Sequence, residues 1–142
     1  MPFVGDLALG NKYEQEFITL TKPSQYKIIK GKFKEYDIEV EEEGKTVYYE
    51  VKSDRWTHKT NNLCIEFMCN NVDSGITTTK ADYYIYFEIM PTGYKMYKIP
   101  VSVLKEAIGA KKYHKTMNGG DGYRSKFYLF HKMHFESYLP VV

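Results

Sequence analysis

Two carboxylates and a lysine stand at a spacing that suits metal-assisted chemistry: Asp37, and then Glu50 and Lys52 after twelve intervening residues. Apolar and polar residues alternate on both sides of Gly44, which is typical of a β-hairpin. The hairpin would bring Asp37 back towards Glu50, and the two-residue period of a strand places Glu50 and Lys52 on one face, with Val51 on the other. Clustered carboxylates beside a lysine suit a hard divalent cation and the activation of water, which is the chemistry of phosphodiester hydrolysis. The alternative is an exposed cross-strand ion pair, which contributes only about 0–1 kcal/mol.

The elements that must position these residues are predicted from hydrophobic periodicity and from helix and turn signals. Residues 10–20 have a helical period, and a second helix is expected over 100–109, between a proline and a glycine. Besides the hairpin of 37–53, strands are expected at 26–33, 63–68, 83–90, 94–99 and 127–130. This order predicts an α/β fold in which helices flank a central mixed β-sheet. A chain of 142 residues fits a single domain.

Charge is distributed unevenly along the chain, although the formal net charge is only +2. Residues 35–54 contain eight acidic side chains against two lysines, whereas residues 105–134 contain seven Lys or Arg against two acids. An acidic centre with a basic segment fits a metal site that is approached by a polyanion. An ordinary solvated surface would show the same counts. The 14 Tyr and 8 Phe suit half-buried strands, or platforms on which nucleobases stack.

Several other classes of protein find little support in the sequence. Cys64 and Cys69 would lie on opposite faces of one strand, so reduced thiols are expected rather than a disulfide. His131 and His134 have zinc-like spacing but no partner ligands nearby in sequence. No serine- or cysteine-hydrolase signature is present. Charged residues interrupt the first twenty positions, so no signal peptide or membrane span is expected, and the protein is expected to be soluble and intracellular.

The combination of a helix acid, Asp37 and the tripeptide Glu50-Val51-Lys52 resembles the PD-(D/E)xK nuclease superfamily. The opening Gly10-x-x-x-Glu14-x-Glu16 is similar to that of archaeal Holliday-junction resolvases, which implies Glu14 as the helix carboxylate and Glu16 as the second choice. Residues 62–67 and 74–83 are similar to segments of small phage and large-virus nucleases, which suggests a phage or viral source. The resemblance covers residues 10 to about 90. It implies a restriction-endonuclease-like αβββαβ core, followed by a C-terminal strand, helix and basic extension over about 91–142.

The same resemblance implies the cofactor and the role of each residue. Mg²⁺, with Mn²⁺ as a substitute, would be held by the carboxylates of Asp37 and Glu50 and by the backbone carbonyl of Val51. Lys52 would orient the attacking water and offset the charge that builds on phosphorus. Glu14 would reach a second metal ion or hold a metal-bound water. The implied activity is endonucleolytic hydrolysis of DNA, including junction or branched DNA, by a homodimer.

Residues outside the motif are candidates for binding nucleic acid. Arg55, His58 and Lys59 directly follow the motif and could contact phosphates, with an ordinary solvated loop as the alternative. Lys80, in a threonine-rich segment, is a further phosphate candidate. Trp56 is expected to cap the core, with stacking on a base as the alternative. Glu66 lies within an apolar strand, where it would be edge-facing or paired, or would join the metal cluster from a neighbouring strand.

Two rival functions are compatible with the same residues. The chain could be a nucleic-acid-binding module that keeps a nuclease fold without cleaving, or a structural or partner-binding α/β domain with a chance motif. The intact acids and lysine favour the endonuclease, because drift would erode residues that no longer act. Duplex, junction, flap and single-stranded DNA, and also RNA, are all compatible substrates.

Overall fold

Two β-sheets and a long N-terminal helix make up the structure, which is a computed structural model that describes residues 2–31 and 35–140. The helices are α1 (Pro2–Thr21), α2 (Thr57–Thr60) and α3 (Val101–Gly109). The strands are β1 (Tyr26–Ile28), β2 (Ile38–Glu42), β3 (Lys45–Asp54), β4 (Asn62–Cys69), β5 (Val72–Asp73), β6 (Tyr83–Met90), β7 (Gly93–Pro100), β8 (Lys115–Gly119) and β9 (Ser125–His131). Among the described residues, no helix is both long and apolar enough to cross a membrane.

The first sheet is mixed and has five strands in the order β1-β2-β3-β6-β7. Strands β2 and β3 form the predicted hairpin, whose turn has Gly44 at a positive φ of 78° that suits glycine. Strand β6 runs parallel to β3, and the other pairs are antiparallel. The prediction of an α/β protein with a mixed central sheet is therefore confirmed. Of the strand predicted over 26–33, β1 covers only Tyr26–Ile28, and positions 32 and 33 lie outside the described residues.

The second sheet has four antiparallel strands in the order β5-β4-β9-β8. Periodicity predicts β4 and β9 but neither their separation from the central sheet nor β8, which has Met117 as its single large apolar residue. The segment beyond residue 90 contributes strands to both sheets, since β7 completes the first, and β8 and β9 belong to the second. Cys64 and Cys69 on β4 are free thiols, as predicted.

Two hydrophobic clusters lie on opposite faces of the first sheet. On one face, α1 packs Tyr13 and Phe17 against Val51 and its neighbours. On the other face, Tyr84 and its neighbours pack against residues of the second sheet such as Phe130. Because side chains alternate along β3, the face opposite Val51 is turned towards the second sheet. That face carries the residues of the predicted site.

Candidate active site

The hairpin places the Asp37 carboxylate against the backbone of β3. The β2–β3 register pairs Ile38 with Tyr49, so Asp37 comes one residue before the ladder, and its N–H donates to the Tyr49 carbonyl at 2.9 Å. The Asp37 Oδ2 atom accepts a hydrogen bond from the Val51 N–H at 2.7 Å. Asp37 is buried, with 4% of its surface exposed. Its carboxylate therefore lies beside the residue that separates Glu50 from Lys52.

Glu50 and Lys52 share one face of β3 and form an ion pair. The Lys52 Nζ atom is 3.2 Å from Glu50 Oε2, and 41% of the Lys52 side chain remains exposed. Burial by itself lowers the pKa of Lys52, but the charges of Glu50, Asp37 and Glu66 together hold that pKa above its usual value. Lys52 is therefore a cation throughout the neutral pH range.

A cleft of about 210 Å³ lies between the two sheets beside these residues. Strand β3 lines it with Lys52 and Asp54, and the second sheet contributes Glu66 on β4. Tyr84 on β6 completes this end of the cleft. The cleft thus brings Lys52 of the first sheet together with Glu66 of the second sheet.

Glu66 is held at the cleft by the turn that follows β5. The Ser74 hydroxyl donates to Glu66 Oε2 at 2.9 Å. Gly75 has a positive φ of 53°, and a Cβ atom there would lie 2.1 Å from the Glu66 carbonyl oxygen, so only glycine allows this approach. Of the alternatives for Glu66, the structure shows a paired side chain, which is hydrogen-bonded to Ser74. The charge of Glu66 also helps to raise the pKa of Lys52.

Tyr84 is the residue of this site that the sequence does not single out. It pairs with Glu50 across the parallel β3–β6 ladder, so its ring lies on the face that carries Glu50 and Lys52. Alternation along β6 indicates from sequence that Tyr84 and Tyr86 share a face of the sheet. Only the register between β3 and β6 shows that this is the face that carries Glu50 and Lys52. Tyr84 is 1% exposed.

Asp54 organises the far side of the cleft rather than joining the acids. Its Oδ2 accepts from the Tyr86 hydroxyl at 2.7 Å, and its Oδ1 accepts from the Trp56 N–H at 2.6 Å. The Tyr86 hydroxyl in turn accepts from the Cys64 N–H at 3.1 Å. Burial and the nearby Asp54 charge raise the pKa of the Cys64 thiol to about 12, so this cysteine is not a thiolate nucleophile near neutral pH.

The helix acids have different surroundings. Glu14 is buried, with 7% of its surface exposed, on a helix that packs on the Val51 face of the sheet rather than on the Glu50 face. Glu16 accepts a hydrogen bond from the Tyr94 hydroxyl at 2.5 Å. The predicted role of Glu14 as a further ligand stays a prediction, and Glu16 is engaged with β7.

The predicted nucleic-acid-binding residues lie at the surface. Arg55, Lys59 and Lys80 are exposed, and the first two belong to the segment that starts directly after Asp54. The expectation that Trp56 caps the core is wrong, because 62% of Trp56 is exposed. The Asp54 carboxylate fixes the turn, and Lys59 Nζ lies 5.0 Å from the centre of the Trp56 ring.

The donor set at Asp37 and Glu50 suits Mg²⁺. Among the described residues, no three or more His, Cys, Asp or Glu side chains are grouped so as to hold a metal ion, and this includes His131 and His134. Mg²⁺, however, is usually bound through one or two carboxylates and keeps several waters or substrate phosphate oxygens as its other ligands. Asp37 and Glu50, which the hairpin register places opposite each other, would be the two carboxylates of such a site.

Comparison of the chain with protein-family models, with curated protein sequences and with solved structures gives no match.

Proposed function

We propose that this protein is a metal-dependent endonuclease of the PD-(D/E)xK type that hydrolyses DNA phosphodiester bonds. The observation that carries the proposal is the 2.7 Å hydrogen bond between Asp37 Oδ2 and the Val51 N–H. It holds one carboxylate at the centre of the Glu50-Val51-Lys52 tripeptide, so residues from the two arms of the hairpin meet at one point. An incidental surface ion pair would not need a buried aspartate at this position.

The order of elements supports this assignment. Helix α1 precedes three antiparallel strands, and β6 then returns parallel to β3, which follows the order of an αβββαβ core. The connection from β3 to β6 differs from that core, because its helix α2 has only four residues and is followed by β4 and β5. Strands β4 and β5 of the second sheet lie in this connection, and β4 brings Glu66 to the cleft.

Each residue of the site has a definite task in this proposal. Asp37, Glu50 and the Val51 carbonyl would hold Mg²⁺, with Mn²⁺ as a substitute. When bound, the ion would lower the pKa of a water molecule and offset phosphate charge. Lys52, kept protonated by its acidic neighbours, would stabilise the charge that develops on the phosphate oxygens. Glu14, a buried acid on α1, would be a further ligand of the metal site.

Exposed cations and one exposed aromatic ring suit a nucleic-acid substrate. Arg55, Lys59 and Lys80 would contact backbone phosphates, which supplies affinity without base specificity. The exposed Trp56 ring would stack on an unpaired base, as would occur in branched DNA. A two-fold homodimer would present two cleavage sites, which symmetric cutting of a duplex or a junction requires.

A cleavage assay with matched substrates tests the proposal. Purified protein is incubated with supercoiled plasmid, linear duplex, single-stranded and four-way-junction DNA, in Mg²⁺, Mn²⁺ or EDTA. We expect cleavage that requires the metal and that is lost in Lys52→Ala, and Glu14→Gln reports whether the helix acid contributes. Absence of cleavage in either metal, or equal cleavage by Lys52→Ala, would rule out the assignment.

The second candidate is a nucleic-acid-binding module that does not cleave. The 3.2 Å ion pair between Lys52 and Glu50 favours it, because that pair satisfies the acid without a metal. This candidate predicts binding that weakens steeply with salt and no product in any metal. The same assay, with a binding titration at two salt concentrations, separates the two functions.

A further inference from the structure

Tyr84 has a buried hydroxyl group that makes no hydrogen bond within the described part of the chain. A buried polar group without a partner costs about 1–3 kcal/mol, so native proteins rarely keep one without reason. The two other buried tyrosines near it differ in this respect. Tyr86 bonds to Asp54 and to the Cys64 N–H, and Tyr97 donates to Glu88 at 3.0 Å.

The position of this hydroxyl indicates that a bound ligand supplies its missing hydrogen-bond partner. Tyr84 lines the cleft together with Lys52 and Glu66, and it interacts electrostatically with Glu50 and Asp37 as well. Asp37, Glu50, Glu66 and Asp54 on the far side of the cleft are four carboxylates against the single ammonium of Lys52, and a divalent cation would offset two of the three excess negative charges. The hydroxyl and the ammonium are then the groups that remain to donate to an anion.

We propose that Tyr84 is a substrate-contacting residue whose hydroxyl donates a hydrogen bond to a non-bridging oxygen of a phosphodiester bound in the cleft beside Lys52. The inference rests on the proposed function, since the phosphate belongs to the nucleic-acid substrate. A tyrosine hydroxyl keeps its proton at neutral pH, since its ordinary pKa is about 10, so the group acts as a donor. A phosphate is chosen over a carboxylate ligand because the proposed endonuclease acts on a phosphodiester.

Tyr84→Phe removes the hydroxyl and keeps the ring that packs between the sheets. Because that hydroxyl has no partner to lose, we expect the Tm to stay the same or to rise slightly. Tyr86→Phe is the matched comparison on the same strand and face, and it should lower the Tm because it breaks two hydrogen bonds. Tyr123→Phe, at a site that is 74% exposed, is the neutral control.

Two functional measurements accompany the thermal unfolding curves. Binding of a fluorescein-labelled DNA duplex is followed by anisotropy in Ca²⁺, and cleavage is followed under single-turnover conditions in Mg²⁺. Loss of one hydrogen bond to a charged phosphate predicts a reduction of roughly 10- to 100-fold in single-turnover cleavage, in binding, or in both for Tyr84→Phe. Tyr123→Phe should match the unmodified protein in both assays.

The outcomes separate this inference from the proposed function. If Tyr84→Phe binds and cleaves like the unmodified protein, or if its Tm falls by several degrees, the substrate contact is refuted. If the unmodified protein binds DNA without cleaving and Tyr84→Phe weakens that binding, the contact stands while the endonuclease assignment fails. If the unmodified protein does not bind DNA at all, both are overturned.

Discussion

Replacing Asp37 with Ala and with Asn separates its structural contact from its proposed metal-binding task. Asp37→Ala leaves the buried Val51 N–H without its acceptor, which should cost about 1–3 kcal/mol. For a domain of this size, that loss lowers the Tm by roughly 3–9 °C. Asp37→Asn keeps an oxygen that can accept from Val51 but removes the charge, so its Tm should fall much less. Both variants should lose cleavage activity by at least about 100-fold, because metal activation lowers the activation barrier by several kcal/mol.

Thermal unfolding with and without Mg²⁺ provides the readout that does not depend on activity. Mg²⁺ should raise the Tm of the unmodified protein, because it binds the folded state, and should leave the Tm of Asp37→Asn unchanged. Asp73→Ala, an exposed acid on β5, is the control and should behave like the unmodified protein. Equal stability of Asp37→Ala and the unmodified protein would refute the structural argument. Full cleavage by Asp37→Asn would refute the metal argument.

Three further predictions follow from charge, space and exposure. Folding raises the pKa of Lys52, so the stability that its charge contributes is fully present below about pH 10.4, the pKa of lysine in an unfolded chain. That contribution is lost only at higher pH. A pH–rate profile should therefore show no decline from pH 7 to 9, with activity retained in part by Lys52→Arg and reduced roughly 100-fold in Lys52→Met. Gly75→Ala places a methyl group 2.1 Å from the Glu66 carbonyl and should cost about 1–3 kcal/mol in chemical denaturation, whereas Gly10→Ala on α1, where nothing lies within 4 Å, should not destabilise. Trp56→Ala should leave the Tm unchanged and weaken DNA binding roughly 5- to 100-fold by anisotropy, and an unchanged affinity would contradict a stacking contact.

The hairpin at the centre of the site could be predicted from sequence because its determinants are local. Alternation along β3 places Glu50 and Lys52 together, and the glycine turn fixes the register that returns Asp37 to them. The structure agrees on both counts. No long-range information is needed for either feature, since all the residues lie within one hairpin.

The second sheet could not be predicted, because it depends on pairings between distant segments. A strand pattern indicates that β4 exists but not that it pairs with β9, more than fifty residues away. Strand β8 has almost no strand signal of its own and forms because β9 offers it a partner. Glu66 enters the site through this sheet, and Tyr84 enters it through the parallel pairing of β3 with β6, another contact between distant segments, so periodicity alone could not connect either residue to Lys52. Trp56 is exposed for a local reason, since the Asp54 carboxylate binds the Trp56 and Thr57 N–H groups and turns Thr57 inward instead.

The ion pair between Lys52 and Glu50 satisfies the acid in the absence of a metal, but a metal ion could displace it. The Lys52 side chain is 41% exposed, and ion pairs of that kind contribute only about 0–1 kcal/mol. A divalent cation that bound Glu50 would displace the ammonium at small cost, and Asp37 and Glu66 would still hold the lysine near the cleft through their charges. Lys52 would then turn from the carboxylate to the phosphate without leaving the site. The same three acids that keep the lysine protonated in the absence of a ligand would thus prepare it to act as a cation when a phosphodiester binds.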